Sequence, residues 1–227
     1  MVGMKPVLKW ETIETARVGR SKFVLSRRQD EWMVQVDGRV LMGNRLHQSE
    51  ISLAEEVIAR AATPRHVLIG GLGLGYTLRA ALDVLPPEAR VTVAELVPEL
   101  VDWNRRHLKH LTNGACEDPR CEVVVGDAFA EILRGKGQYD AILLDVDNGP
   151  EAISQAGNQR LYNDSGVRAC AEALVPGGVL GVWSAGPNEK YATRLRRHGL
   201  ATEVLRVPVR KGARATHVIF IGKRARA

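Results

Sequence analysis

The sequence predicts an α/β fold in which a largely parallel β-sheet is covered by helices. From residue 65 onwards, short apolar runs alternate with amphipathic stretches, as in parallel strands joined by crossover helices. A glycine-rich bend follows the first apolar run, where sheets of this kind commonly bind ligands. The 227 residues are 45% hydrophobic and 26% charged, which is an ordinary globular composition and excludes a largely disordered chain.

The N-terminal part predicts a small antiparallel β unit. Its apolar and β-branched runs are interrupted by Asp37-Gly38, a pair typical of a tight hairpin turn. Ser49 and Glu50 then begin a helical pattern. The predicted strands cover residues 7–18, 22–26, 31–36 and 40–42. We therefore expect three parts, which are an N-terminal β unit (1–46), a connecting helix (47–64) and a ligand-binding domain (65–227).

The larger domain is predicted to alternate strands with helices. Pro98 suits the first turn of a helix, and Pro176-Gly177-Gly178 is expected to end a helix before the next strand. The predicted strands are residues 66–69, 90–94, 121–125, 140–144, 179–183, 202–207 and 217–221. The predicted helices are residues 76–84, 98–110, 128–134, 159–174 and 188–198.

A glycine-rich loop follows the first predicted strand of the larger domain and leads into a helix. Its pattern is G-x-G-x-G, built on Gly71, Gly73 and Gly75. Glycine permits a positive φ angle and lets a ligand touch bare backbone, and the helix beyond supplies unpaired N–H groups. The third glycine of a dinucleotide-binding G-x-G-x-x-G loop would fall on Tyr76, so the loop favours a ligand without a pyrophosphate.

Acidic residues end the next two predicted strands. Glu95 follows the second strand, where a carboxylate can accept hydrogen bonds from both hydroxyl groups of a ribose. Asp127 follows the third strand, where an acid can accept from an adenine amino group or cap the next helix. Because parallel strands end at one edge of a sheet, these acids and the glycine loop are expected to form one nucleoside site.

The formal net charge of +6 comes largely from the C-terminal part of the chain. A basic end can bind nucleic acid, but no recognition motif or interleaved aromatic residues accompany it. No apolar run reaches the length of a membrane span and no signal-peptide core is present, so we expect a cytoplasmic protein without membrane contact. These basic residues are Arg194, Arg196, Arg197, Arg206, Arg210, Lys211, Arg214, Lys223, Arg224 and Arg226.

Five segments, in the same order along the chain, resemble those of spermidine synthases and their relatives. The most similar begins at the glycine loop, where Gly71 to Ala80 aligns with the family's GGGDGGTLRE. The other segments are Val36-Asp37-Gly38 with Ser49-Glu50, Asp118-Pro119-Arg120 with Gly126-Asp127-Ala128-Phe129, Gln138-Tyr139-Asp140 with Asp145, and Leu174 to Leu180. The resemblance implies a Rossmann-like class I methyltransferase fold, with a seven-stranded, mostly parallel sheet whose last strand is antiparallel.

The same resemblance implies which residues bind S-adenosylmethionine (SAM) or its decarboxylated form. Glu95 holds the ribose, Leu96 lines the adenine and Asp127 accepts from the adenine amino group. Asp145 lies where the family keeps a catalytic acid at the end of the fourth strand. The implied cofactor-binding residues are Gly71, Gly73, Gly75, Glu95, Leu96, Asp127, Ala128 and Asp145.

Several positions depart from the pattern of the family. Leu74 stands where the family has an aspartate that helps to hold the ammonium group of the donor, and Leu53-Ala54 stands where it has a Tyr-His pair. Leucine and alanine cannot pair with an ammonium group, whose burial without a partner is costly. We therefore expect an acceptor pocket that is less acidic and more apolar than is usual in the family.

These departures make methyl transfer from SAM to a small molecule the leading hypothesis, with Asp145 as general base and Asp147 orienting the acceptor. The alternative is aminopropyl transfer from decarboxylated SAM to an amine, in which Glu55, Asp145 and Asp147 bind ammonium groups. A second alternative is an RNA methyltransferase or a SAM-binding protein without catalysis. No metal is expected, since no His or Cys cluster accompanies the three cysteines. The resemblance also implies a homodimer.

Overall fold

The computed structural model describes residues 8–146, 159–210 and 212–226. The chain forms two compact units, Met1–Leu46 and His47–Ala227. The helix that follows residue 47 packs against the sheet of the second unit, so the structure groups residues 47–64 with the larger domain.

The first unit is a four-stranded antiparallel sheet, as its sequence predicts. Asp37 and Gly38 have positive φ angles of 50° and 78° and form the tight turn between the last two strands. Phe23, Leu25 and Val34 are buried and supply the apolar face of the sheet. The strands, in sheet order, are β1 (Glu11–Val18), β2 (Ser21–Arg28), β3 (Glu31–Val36) and β4 (Arg39–Gly43).

The second unit alternates strands and helices. Its strands are β5 (His66–Gly70), β6 (Arg90–Glu95), β7 (Cys121–Val125), β8 (Tyr139–Leu144), β9 (Leu174–Ser184), β10 (Leu200–Pro208) and β11 (Thr216–Arg224). Its helices are α1 (Gln48–Ile58), α2 (Tyr76–Val84), α3 (Pro98–Arg106), α4 (Ala128–Arg134), α5 (Gln159–Tyr162), α6 (Asp164–Ala173) and α7 (Glu189–Arg197).

The seven strands form one sheet in the order β10-β11-β9-β8-β5-β6-β7. All neighbouring strands from β9 to β7 are parallel, whereas β11 is antiparallel to both β9 and β10. The predicted fold, a mostly parallel seven-stranded sheet with an antiparallel last strand, is confirmed. The order reverses at β5, so β5, β6 and β8 end side by side at the edge where ligands usually bind.

Helices cover both faces of this sheet because its central strands are apolar on both faces. In β5, Val67 and Ile69 point into one core with α1 and α2, while Leu68 points into a second core with α4, α6 and α7. Side chains of a strand alternate between the two faces, so an uninterrupted apolar run fills both cores. The sheet therefore holds its strand ends rigidly from both sides.

Two predicted helices end earlier than expected. The predicted helix 159–174 is divided at Asn163, whose side chain accepts a hydrogen bond from the backbone N–H of Gly166 over 2.9 Å and so caps α6. The predicted helix 98–110 ends at Arg106 and continues as a short 3₁₀ segment, Lys109–Leu111. In both cases the apolar residues keep a helical spacing before and after the break. The sequence pattern therefore predicts one continuous helix.

Helix α1 packs closely on β9 because Gly181 has no side chain. A Cβ atom added to Gly181 would lie 2.1 Å from Cγ2 of Val57 and 3.1 Å from Cδ1 of Leu53. Val57 and Leu53 are fully buried on the inner face of α1. The absence of a side chain at residue 181 therefore fixes how near the C-terminal half of α1 lies to the sheet.

Replacing Gly181 by alanine should lower the free energy of unfolding by about 1–3 kcal/mol, because the added methyl group must displace Val57 in a packed core. Urea denaturation measures this change. Gly186→Ala is the matched control, since a Cβ atom there would have no neighbour within 4 Å. Equal stability of the two variants would contradict this account of the packing.

Candidate active site

The glycine loop begins with a close contact between two backbone segments. Gly71 has a φ angle of +89° and donates its N–H to the carbonyl oxygen of Ala94 over 2.9 Å. A Cβ atom on Gly71 would lie only 2.4 Å from the backbone oxygen of Asp145. Both the positive φ angle and the contact exclude a side chain. The loop after β5 therefore lies directly against the segment after β8.

The rest of the loop forms the N-terminus of α2. Gly75 caps this helix with a left-handed φ angle of 84°, and Gly73 has a φ angle of 54°. The amide group of Asn104, on α3, donates to the carbonyl oxygens of Gly73 and Leu100, both over 2.8 Å. Asn104 is buried, so these bonds hold the loop in one conformation.

Glu95 lies at the end of β6 with its carboxylate buried and held by two backbone N–H groups. Leu72 donates to one oxygen and Val97 donates to the other, both over 2.8 Å. A carboxylate oxygen can accept more than one hydrogen bond, so each retains acceptor capacity for a further donor. The adjacent Leu96 is 50% exposed, which leaves an apolar surface beside the carboxylate.

Asp127 ends β7 and caps α4, accepting the backbone N–H of Phe129 over 2.9 Å. Its other oxygen forms an ion pair with Arg160, whose guanidinium group also lies 5.2 Å from the centre of the Phe129 ring. Ala128 is buried against the loop, because a Cβ atom on Gly70 would lie 3.1 Å from the Ala128 Cβ. Asp127 is expected to cap the next helix or to accept from an adenine amino group, and the structure shows the cap directly.

Asp145 follows β8 and is half-buried beside the glycine loop. Its backbone N–H donates to the carbonyl oxygen of Gly70 over 2.9 Å, and its Oδ2 accepts from the hydroxyl of Thr77 over 2.5 Å. Burial and, second to it, the negative charge of Glu50 raise the pKa of Asp145 to about 7, although the hydrogen bond from Thr77 acts to lower it. A carboxyl group with such a pKa can exchange protons near neutral pH.

Glu50 is the second acid at this site. It lies in the first turn of α1, and burial raises its pKa, while the hydrogen bond from the Ser49 hydroxyl over 2.7 Å lowers it. Glu50 and Asp145 form what we call the acid pair. The pKa of Tyr76 rises to about 12, first through burial and then through the charge of Glu50. The ring of His47 stacks on Tyr76 with centroids 4.1 Å apart.

The structure brings some predicted residues together and not others. Glu50, Thr77 and Tyr76 belong to the site, although the sequence pattern marked them only as the starts of α1 and α2. Glu55 is exposed on α1 and is not among the groups that shift the pKa of Asp145. Asp147, predicted as a catalytic and substrate-binding residue, lies outside the described residues.

Part of the C-terminal positive charge is used within the protein. Arg194 donates to the carbonyl oxygen of Tyr162 over 2.6 Å and pairs with Asp164, and Arg224 donates to the carbonyl oxygen of Ala171 over 3.0 Å. In the part of the chain that the structure describes, no helix is long and apolar enough to cross a membrane. Within the same part, no group of three or more His, Cys, Asp or Glu side chains is placed to hold a metal ion.

Comparison with known families gives one match over most of the larger domain. Residues 49–194 match the family described as "Spermine/spermidine synthase domain". This stretch contains the glycine loop, Glu95, Asp127 and the acid pair. The glycine loop, Glu50, Asp127 and Asp145 thus lie both in the family match and in segments that resemble spermidine synthases.

Individual relatives agree with the family match. The chain is 36% identical over 144 residues to polyamine aminopropyltransferase 2 of Pseudomonas aeruginosa, which covers 60% of this chain and 39% of the relative. It is 32% identical over 187 residues to the polyamine aminopropyltransferase of Aeropyrum pernix, covering 76% and 58%. The chain therefore spans between about two fifths and three fifths of the length of these curated relatives.

Two solved structures share the fold. A spermidine synthase in complex with the transition-state analogue AdoDATO has a TM-score of 0.80 at 20% identity, covering 95% of this chain and 74% of the other. The spermidine synthase of Thermotoga maritima has a TM-score of 0.77 at 19% identity, covering 95% and 73%. At these identities, the likeness extends to the fold alone.

The raised pKa of Asp145 predicts a characteristic dependence of stability on pH. Between about pH 4 and pH 7 the unfolded chain loses the Asp145 proton while the folded chain keeps it, so wild-type stability falls as pH rises. Asp145→Asn removes this loss and should gain stability over the wild type across that window. The upper bound is about 4 kcal/mol, reduced by the partial exposure of the side chain.

Urea denaturation from pH 4 to pH 8 tests this expectation. Glu88→Gln, which changes an exposed carboxyl group, is the matched control. If Asp145→Asn and the wild type keep a constant difference in stability over this range, the carboxyl group does not titrate as described.

Proposed function

Since this chain belongs to the spermine/spermidine synthase domain family, we propose that it transfers an aminopropyl group from decarboxylated SAM to an amine acceptor. The observation that supports this most strongly is the acid pair beside the glycine loop. Glu50 and Asp145 are both partly buried, and among the described residues no cation shifts the pKa of either one. Two such carboxyl groups are costly unless they share a proton or receive a cation.

The residues around the glycine loop suit the adenosyl part of such a donor. Glu95 is fixed by two backbone N–H groups and keeps acceptor capacity for two ribose hydroxyls. Leu96 offers an apolar surface for the adenine, and Ala128 packs close to the loop. Asp127 would accept from the adenine amino group once Arg160 moves from its carboxylate. Gly71, Gly73 and Gly75 would face the remainder of the donor.

An amine acceptor replaces the leading hypothesis of the sequence analysis, which was methyl transfer. That hypothesis rested on Leu74 and on Leu53-Ala54, which put apolar side chains where ammonium groups would need acids. All three are buried in the core, so they indeed supply no charge. Glu50 supplies the missing acid from a different position on α1. The curated relatives of Pseudomonas aeruginosa and Aeropyrum pernix, both polyamine aminopropyltransferases, support the same choice.

The acid pair accounts for how the acceptor becomes reactive. An aliphatic amine is protonated near neutral pH and must lose a proton before its nitrogen can attack. Asp145, with a pKa of about 7, accepts that proton, while Glu50 stabilises positive charge in the same pocket. A bound donor supplies a sulfonium leaving group, so that a C–N bond forms as a C–S bond breaks and the positive charge passes to nitrogen. The loop backbone aligns the two reactants.

Turnover with two donors and one set of acceptors tests the proposed reaction. Purified protein is incubated with SAM or decarboxylated SAM and with aliphatic monoamines, diamines and triamines, and products are identified by mass spectrometry. We expect an acceptor that gains an aminopropyl group, and methylthioadenosine in equal amount. A methylated acceptor from SAM, with no aminopropylated product, would return the choice to methyl transfer.

Removing either charge of the acid pair should impair use of the acceptor. A charge-assisted hydrogen bond is worth about 1.5–3 kcal/mol, so Glu50→Gln and Asp145→Asn should each lower kcat/KM for the amine by about 10- to 100-fold. Steady-state kinetics at saturating donor measures this effect. Glu55→Gln is the matched control, because Glu55 is exposed on the same helix. A comparable loss in Glu55→Gln would contradict the assignment of the pocket.

A further inference from the structure

A hydrogen-bonded path connects the acid pair with the last strand of the sheet. The hydroxyl of Ser49 donates to Oε2 of Glu50 over 2.7 Å, and Nδ1 of His217 lies 3.0 Å from the oxygen of the same hydroxyl. Ser49 is fully buried, so its hydroxyl relies on protein neighbours for its hydrogen bonds. We call the three side chains, Glu50, Ser49 and His217, the relay.

The single hydrogen of the Ser49 hydroxyl fixes how the relay is protonated. When the hydroxyl donates to the Glu50 carboxylate, its oxygen can only accept from His217, so Nδ1 must carry a hydrogen. When Glu50 is protonated, it donates to the hydroxyl, which then donates to a bare Nδ1. The serine thus has two arrangements, each matched to one protonation state of the groups beside it.

His217 lies at the end of the relay that is accessible to solvent. It is the second residue of β11, and because this strand is antiparallel, its beginning lies at the carboxyl ends of the parallel strands. The neighbouring Val218 pairs with Ser184, the last residue of β9. His217 is half-buried, and the ring of Trp183 contacts it edge-on with centroids 4.6 Å apart. The relay therefore leads from the partly buried Glu50 on α1, through the buried Ser49, to a half-buried imidazole on β11.

We propose that Ser49 and His217 carry the proton released by the acceptor amine from the acid pair to solvent. This inference rests on the proposed amine transfer, which releases one proton for each acceptor consumed. An acid pair that stayed protonated could not accept the proton of the next amine. Ser49 and His217 act through Glu50 and do not contact the reacting atoms, so they assist proton transfer without binding substrate.

The transfer balances in protons and charge. The proton that Asp145 takes from the amine first passes to Glu50, the other member of the acid pair. Protonated Glu50 then gives its hydrogen to the Ser49 oxygen while the Ser49 hydrogen passes to Nδ1 of a neutral His217 protonated on Nε2. The result is a Glu50 carboxylate, an intact serine hydroxyl and a His217 imidazolium. The imidazolium then loses the Nε2 hydrogen to water, and return to the other neutral tautomer restores the starting state. No bond other than those to hydrogen is made or broken.

The surroundings of the relay favour movement in both directions. Burial raises the pKa of Glu50 and lowers the pKa of His217, which brings the proton affinities of the two groups together. The titratable groups near the acid end are Asp145 after β8, Tyr76 on α2 and His47, which stacks on Tyr76. At the other end, the ring against His217 is the indole of Trp183, which carries no charge. The pKa of His217 is shifted by its burial.

A titration of His217 by NMR tests the relay without any need for turnover. If the path exists, Glu50→Gln removes a negative charge coupled to His217 and should lower the pKa of this imidazole. Ser49→Ala should alter the Nδ1 chemical shift, because the hydrogen bond is lost. Ser49→Thr keeps a hydroxyl and should preserve the wild-type titration. An unchanged His217 titration in Glu50→Gln and Ser49→Ala would overturn the proposal.

Turnover kinetics test the role of the relay in the reaction. At saturating substrates, Ser49→Ala and His217→Ala should each lower kcat by about 100-fold, which is the low end for a lost proton-transfer step. KM for the amine should stay within about threefold, because the acid pair still binds it. Ser49→Thr should recover most of the activity. In the two alanine variants, the dependence of kcat on pH should differ from that of the wild type on the acidic side of the profile.

Chemical rescue separates proton transfer from a structural role. Added imidazole should restore kcat of His217→Ala in proportion to the imidazole concentration. His66→Gln is the control, because His66 begins β5 and so lies at the edge of the sheet away from the site. This variant should behave as the wild type with or without imidazole. Loss of activity in His217→Ala that imidazole does not relieve would overturn the proposal. A wild-type protein without aminopropyl transfer would count against the proposed function, and the NMR titration would then decide on the relay by itself.

Discussion

The close backbone contact between Gly71 and Asp145 is the constraint on which the site depends. It brings the end of β5 against the end of β8, so that a loop shaped for a ligand and an acid suited to proton transfer become neighbours. The hydroxyl of Thr77, the second residue of the helix after the loop, then reaches the Asp145 carboxylate. Because these groups share one rigid frame, any movement of the loop also moves the acid.

The acid pair lowers the stability of the folded protein, because two neighbouring carboxyl groups are partly withdrawn from water. Most of the larger domain follows the simple rule that apolar side chains are buried and charges are exposed. Glu95 is buried, Glu50 and Asp145 are partly buried, and burial raises the pKa of Glu50 and Asp145. Departures of this kind are typical of sites selected for chemistry instead of folding. The relay through Ser49 gives the acid pair a route by which it can lose a proton and regain its negative charge.

The sequence alone predicts the parts of this protein that depend on local pattern. Apolar runs between turn residues locate every strand of the sheet, and the acids at strand ends locate Glu95, Asp127 and Asp145. Glu50 escapes such reasoning because a glutamate in the first turn of a helix is ordinary and its partner lies almost a hundred residues away. The break at Asn163 escapes it because an asparagine within a helical pattern does not reveal whether it caps a second helix.

The reversed direction of β11 has a consequence for how the chain reaches its final form. Ser49 and His217 are 168 positions apart, and β11 must insert between β9 and β10, which precede it in the chain. Contacts between residues so far apart in sequence form slowly, because closing the large loop between them costs entropy before the contacts stabilise the chain. Until then the edge of β9 is unpaired and available to other chains. Because β11 is synthesised after both of its neighbours, it covers the open edge of β9 only when it also completes the edge of the sheet that carries the site.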